Sequence, residues 1–148
     1  MELVAIEKEA TGSVYRALLD FALGNGSLFS LTWRDRTAYG PEAEAIGIAL
    51  NPDLVAESRT DRWPGTRLLQ PEAVVRIYRM SPHARDILAN AERLFAWDAP
   101  SRPEDLAFYT PDRDPWLGSI AHEADSFLYP DAVQVHEVVA QVGLSIDQ

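Results

Sequence analysis

The order in which two hydrophobic periodicities alternate along the chain restricts its fold more than any other feature. Apolar residues recur at i, i+3, i+4 and i+7 as Tyr15, Leu18, Leu19 and Ala22, so residues 11–24 read as a helix that Ser13 caps and Gly24 stops. Asn25-Gly26 turns the chain and the period falls to two. Phe29, Leu31 and Trp33 then alternate with Ser30, Thr32 and Arg34, the pattern of a half-buried strand. Pro41 opens a shorter helix with Glu42 and Glu44 in its first turn, where the helix dipole favours acids, and Asn51 before Pro52 ends it. Residues 54–60 and 73–80 read as strands, with a turn at Trp63-Pro64-Gly65 between them. Ser81 caps and Pro82 starts the clearest helix, whose apolar stripe runs through Ala84, Ile87, Leu88, Ala91, Leu94 and Phe95. A proline-rich loop follows over residues 98–104. Residues 106–109 and 116–122 then flank Pro111-Asp112-Arg113-Asp114-Pro115 as a hairpin, and Phe127, Leu128 and Tyr129 add a short strand. Val135, Val138, Val139 and Val142 favour a last helix that ends at Gly143, although Val133 and Val135 also fit a strand.

Strict alternation of strand and helix would imply a parallel sheet with crossovers. This irregular order implies α+β instead: a mixed or largely antiparallel sheet covered by about four helices. There is no internal repeat, low-complexity tract or long linker, so residues 1–148 are expected to form a single compact domain. The chain has no cysteine, which excludes disulfide staples, thiolate metal sites and cysteine nucleophiles. No apolar run approaches the 18 or so residues of a membrane span, and the start lacks the basic segment of a signal peptide; a cytoplasmic address is the expectation.

Charge is unevenly placed. The 23 acidic and 13 basic side chains give a formal charge of −10. Residues 1–97 hold 13 acids and 11 bases, whereas residues 98–148 hold 10 acids with Arg102 and Arg113 as the bases. A surface of that sign repels nucleic acid and anionic membranes, which bind through neutralisation by Lys and Arg. A basic protein is the partner such a surface suits.

His122-Glu123-Ala124-Asp125 is the densest set of metal-ligating types. On a strand, however, His122 and Asp125 face opposite sides, and no second histidine stands four residues away as a helical zinc motif requires. Asp112, Asp114 and Glu123 fall at the first, third and twelfth positions of a calcium loop, but Leu117 stands where glycine is needed and Pro115 distorts the turn. Gly118-Ser119-Ile120-Ala121-His122 lacks the second glycine of a nucleophile elbow. No metal and no cofactor is therefore implied. If the chain is an enzyme, His122 with Glu123 or Asp125 are the catalytic candidates, in a small hydrolase-like role. The leading expectation is different: a non-enzymatic protein-binding domain whose acidic, aromatic surface lies in residues 98–148, with Trp97, Glu104, Asp105, Tyr109 and Trp116 as contacts. Its concrete form is an immunity-type inhibitor of a basic toxin. A third reading is an obligate homodimer that pairs exposed aromatics across a twofold axis.

The run Asp98-Ala99-Pro100 through Pro103-Glu104-Asp105-Leu106-Ala107-Phe108-Tyr109, with Pro115-Trp116-Leu117-Gly118-Ser119-Ile120-Ala121-His122-Glu123, resembles a family of small bacterial proteins. Some of its members carry the label "stage III sporulation protein AH". Residues 27–33 and the turn Thr60-Asp61-Arg62-Trp63-Pro64-Gly65-Thr66 are similar too. The resemblance implies a compact bacterial α+β domain without established activity or cofactor, and it transfers no catalytic residue.

Overall fold

The computed structural model describes residues 2–69 and 72–147. Along the chain run β1 (Val4–Ala5), α1 (Gly12–Gly24), β2 (Leu28–Arg34), α2 (Pro41–Leu50), β3 (Leu54–Thr60), β4 (Arg62–Trp63), β5 (Thr66–Arg67) and β6 (Ala73–Arg79). They are followed by α3 (Pro82–Ala89), β7 (Glu104–Tyr109), β8 (Pro115–Ile120), β9 (Asp125–Leu128) and α4 (Val135–Val142). Seven strands form one sheet in the order β1-β9-β8-β7-β2-β6-β3, and β4 and β5 form a separate small hairpin. Every pairing is antiparallel. The chain is an α+β protein, as the irregular element order implies.

Side-chain alternation sorts the sheet into two faces. Phe29 lies opposite both Tyr78 and Phe108, and Leu117 lies opposite Phe108 and Leu128, so these residues share one face. Tyr15, Leu18, Leu19 and Ala22 of α1, Leu88 of α3, and Val138 and Val142 of α4 close over it in a single buried cluster. Each fully buried Leu or Phe there contributes about 1.5–3 kcal/mol by leaving water. Tyr15 ties the layers together: its hydroxyl donates to the Leu88 carbonyl at 2.6 Å and accepts from Trp97 Nε1 at 2.9 Å.

The other face is also covered, which alternation alone did not reveal. Residues 61–69 form a flap that lies across it. Trp63 is buried against Ala73 and Val75, with Leu68 packed beside them. Gly65 passes so close to Phe127 that a Cβ would stand 2.5 Å from its ring, and its φ of +89° suits glycine. Strand β2 is therefore not half-buried: Ser30 and Thr32 are fully buried, because β2 is central in the sheet and covered on both sides.

Two local expectations are corrected. The helix from Pro82 ends at Ala89, short of Phe95. Glu92 takes a left-handed φ of +67°, and its carbonyl accepts from Gly12 N while Leu94 N donates to the Ala10 carbonyl, which draws residues 92–94 away from the helix axis. Leu94–Ala96 then form a separate short turn of 3-10 helix. At α1 the N-cap residue is Thr11 rather than Ser13. Ser81 does cap α3, its hydroxyl accepting from Ala84 N at 3.0 Å.

Candidate functional site

The structure separates the residues expected to present a binding surface into two groups, and buries both. Trp97, fully buried, donates to Tyr15 as described. Trp116 is 2% exposed, stacks on Phe108 with ring centroids 5.3 Å apart, meets Phe21 edge-on and donates from Nε1 to Ser27 Oγ at 3.1 Å. Tyr109 lies on the flap side, its hydroxyl 2.8 Å from Ser30 Oγ, and burial pushes its pKa up to about 12. These aromatics are core, not contacts. An indole or phenol buried with its polar atom satisfied loses nothing by leaving water, so packing wins over presentation.

Glu104 and Asp105 are likewise buried, 5% and 1% exposed, and they build the most highly charged interior cluster of the fold. A bulge brings them together. The β2–β7 register shifts between Ser30, which faces Ala107, and Thr32, which faces Glu104, so two residues of β7 oppose Leu31. Asp105 sits in this bulge with a left-handed φ of +60°. In an unbroken strand Glu104 and Asp105 would point to opposite faces; the extra residue lets both reach Arg34.

Arg34 Nε lies 3.6 Å from Glu104 Oε2, and Arg34 Nη2 lies 3.8 Å from Asp105 Oδ2. Tyr39 donates to Glu104 Oε2 at 2.6 Å and accepts from the Arg34 backbone N–H at 2.9 Å. Asp105 accepts from Trp63 Nε1 at 2.9 Å and from Ala121 N at 3.0 Å, one donor on each oxygen. The Arg34 guanidinium also stands over the Trp63 ring, 5.0 Å from its centroid. Burial pushes both carboxyls above their ordinary range, outweighing the lowering effect of these hydrogen bonds and of the Arg34 charge. Such a cluster could serve acid–base chemistry only if a substrate reached it. Instead both carboxylates are buried, and Glu104 Oε2 and the two Asp105 oxygens are occupied by the protein's own donors. It works as a tie that joins β2, β7, the flap and the turn after β8.

The catalytic candidates lie elsewhere. His122 and Glu123 share the 3-10 turn Ala121–Glu123, with Nε2 and Oε2 3.7 Å apart and side chains 47% and 61% exposed. Asp125 is exposed at the start of β9, beside a shallow depression lined by Leu3, Ile120 and Phe127 that neither His122 nor Glu123 lines. The three do not converge on a common cavity. Among the described residues no group of three or more His, Asp or Glu side chains is placed to hold a metal ion.

Besides an open depression of about 440 Å³ on the flap, lined by Trp63, Gly65, Tyr109 and Tyr129, two surface depressions bear on function. A groove of about 510 Å³ runs between α2 and the β2–β6 pair, floored by Trp33 and Tyr39, whose rings meet edge-on 5.0 Å apart. Its cations are already engaged: Arg34 by the buried carboxyls and Arg76 by Glu57 at 2.7 Å. The second depression, about 240 Å³, lies where the end of α1, the β7–β8 hairpin and the start of α4 meet. Phe21, Trp116, Ala132 and Val133 line it, and Thr110, Gln134 and Glu137 add polar atoms. Asp112 and Asp114 follow on the hairpin tip and Asp131 precedes Ala132, all of them exposed, with Arg113 a base on the same tip.

The exposed acids of the chain divide into ion-paired and unpaired ones, and among the described residues Glu7, Glu42, Glu44, Glu92 and Asp125 belong to the second kind as well as those around this depression. Glu9, Asp20, Asp35, Glu57, Asp61, Glu72 and Asp86 each lie within 4.0 Å of an arginine. Among the described residues Asp112, Asp114, Asp131 and Glu137 form no ion pair. The exposed charge of the last third is thus divided between this rim and Glu123, Asp125 and Asp147, and none of it belongs to the aromatics near it in sequence. Sequence reasoning located the acidic third but missed Arg34, Tyr39 and Trp63, the partners of its two buried acids. The Trp63-Pro64-Gly65 turn was the one available sign that an indole was being placed on something.

No protein-family model matches the chain, and no curated protein or solved structure matches it either. Among the described residues no helix is long and apolar enough to cross a membrane.

Proposed function

We propose that this protein is a non-catalytic binding domain for a basic protein, acting in the cytoplasm, with the acid-rimmed depression between α1, the β7–β8 tip and α4 as its contact surface. The observation that carries this reading is the gathering of Asp112, Asp114, Asp131 and Glu137, none of them ion-paired among the described residues, around one depression floored by Phe21, Trp116, Ala132 and Val133. Uncompensated charge at the surface accelerates encounter with an oppositely charged partner and selects against anionic ones. The apolar floor of about 240 Å³ is smaller than the ~300–1,000 Å³ typical of small-molecule sites. It suits a lysine or arginine side chain, whose aliphatic stem packs on Phe21 and Trp116 while its charged head stays at the rim. An immunity-type inhibitor of a cationic toxin is the concrete form of this function. The bacterial family resembled by residues 98–123 is compatible with it and adds no activity.

Titration of a fluorescent lysine- and arginine-rich peptide tests the surface. The peptide is expected to bind at low salt, to weaken as salt rises, and to lose about tenfold in affinity for the Asp112→Asn/Asp114→Asn/Glu137→Gln variant. A control variant, Glu42→Gln/Glu44→Gln on exposed positions of α2, should bind like the unaltered chain. Equal losses in the two variants, or no binding at low salt, would overturn the assignment.

A further inference from the structure

Strand β3 is the last of the seven-stranded order, bonded to β6 on one side and, among the described residues, to no strand on the other. Leu54, Val55, Glu57, Ser58 and Arg59 are all exposed along it. An edge of this length offers a row of unpaired backbone donors and acceptors, a template for another strand. Neither lysine nor proline interrupts it, and the one irregularity, between Leu54 and Ala56, leaves residues 56–60 in continuous register with β6.

We propose that this edge is an interface with a second copy of the chain, in which β3 pairs antiparallel with β3 of that copy about a twofold axis through Ser58. The charges select this partner and this register. A twofold axis perpendicular to the sheet keeps every side chain on its own face, so the axis must pass through a residue and not between two. An axis at Glu57 would set glutamate against glutamate, and one at Arg59 arginine against arginine. With the axis at Ser58, Glu57 of each copy faces Arg59 of the other, giving two cross-strand ion pairs. Within one copy Glu57 already accepts from Arg76 at 2.7 Å, and Arg59 already bonds Asp35. The dimer joins these into rows of alternating sign, Arg76–Glu57 of one copy meeting Arg59–Asp35 of the other. Charged residues commonly protect an edge from strangers; this pair, two residues apart and opposite in sign, faces itself reciprocally with Glu57 on Arg59 at both ends when the axis lies at Ser58.

Sedimentation equilibrium of the full chain over a range of concentrations is expected to show a dimer. Glu57→Arg alone and Arg59→Glu alone each place like charges face to face, and each should weaken self-association by about tenfold or more. An equimolar mixture of the two variants restores complementarity and should recover a mixed dimer. Ser58→Lys, at an exposed position outside both ion pairs, sets two ammonium groups together on the axis and should give a monomer. Far-ultraviolet circular dichroism confirms that each variant is folded. An unaltered chain that stays monomeric at millimolar concentration overturns the interface. A dimer indifferent to Ser58→Lys, or folded variants that fail to associate on mixing, overturns the register.

Discussion

The two ends of the β7–β8 hairpin carry the same kind of residue in opposite states. At the start of β7, Glu104 and Asp105 are buried, hydrogen-bonded by Tyr39, Trp63 and Ala121, and set against Arg34. At the tip, a strand's length away, Asp112 and Asp114 are exposed and form no ion pair among the described residues. The comparison shows that a carboxylate's role here follows from its surroundings. Buried acids must be satisfied by the protein itself, so they are committed to structure. Exposed acids without a partner cost the fold almost nothing and keep their charge for another molecule.

That contrast can be broken or sharpened by substitution at its two ends. The largest effect is expected for Asp105→Ala, which leaves the Trp63 and Ala121 N–H groups without an acceptor and removes one of the two carboxylates beside Arg34. Unfolding in urea should show a loss of about 3–5 kcal/mol. A loss under about 1 kcal/mol would mean that the tie contributes little and that the flap is held by packing alone.

A smaller effect is expected from pH. Burial raises the Asp105 carboxyl above its ordinary value of 3.8, so over the interval between the ordinary and the raised value the folded chain holds more protons than the unfolded one. The stability that this group contributes is therefore greatest at the acid end of that interval and falls as pH rises through it. Asp105→Asn does not titrate. The difference in unfolding free energy between the unaltered chain and Asp105→Asn should shrink as pH is raised from 3.8 through the native value. A difference that grows over this interval would reverse the assigned direction.

The smallest effect on folding belongs to the tip. Asp112→Asn with Asp114→Asn should change stability by no more than about 0.5 kcal/mol, seen as an unshifted urea midpoint. A larger loss would show that the tip acids support the fold, and the contrast between the two ends would collapse.

Much of the fold was legible because it is local. Periodicity placed α1 and α4, Pro41 with its first-turn acids placed α2, proline and serine placed the start of α3, and turn residues placed the hairpin tip, since each depends on neighbours within a few positions. The reading failed where a distant segment intervened. The helix expected to reach Phe95 stops at Ala89, and Glu92 and Leu94 bond to Gly12 and Ala10, some eighty residues earlier. Ser30 and Thr32 looked solvent-facing because alternation reports that the two sides of a strand differ and not what covers each. Trp97, Tyr109 and Trp116 looked like contacts because composition cannot separate an aromatic that anchors a partner from one that anchors a core.

By itself the sequence determined an α+β chain, the order of its longer helices and strands though not β1 or the β4–β5 hairpin, and the concentration of negative charge beyond Trp97, because composition and short-range stereochemistry need no folded context. The tertiary structure decided which of those acids are interior and which are exposed. That depends on a bulge at Asp105, a flap carrying Trp63 and an arginine seventy residues upstream, and burial is set by whatever the whole chain places around a group.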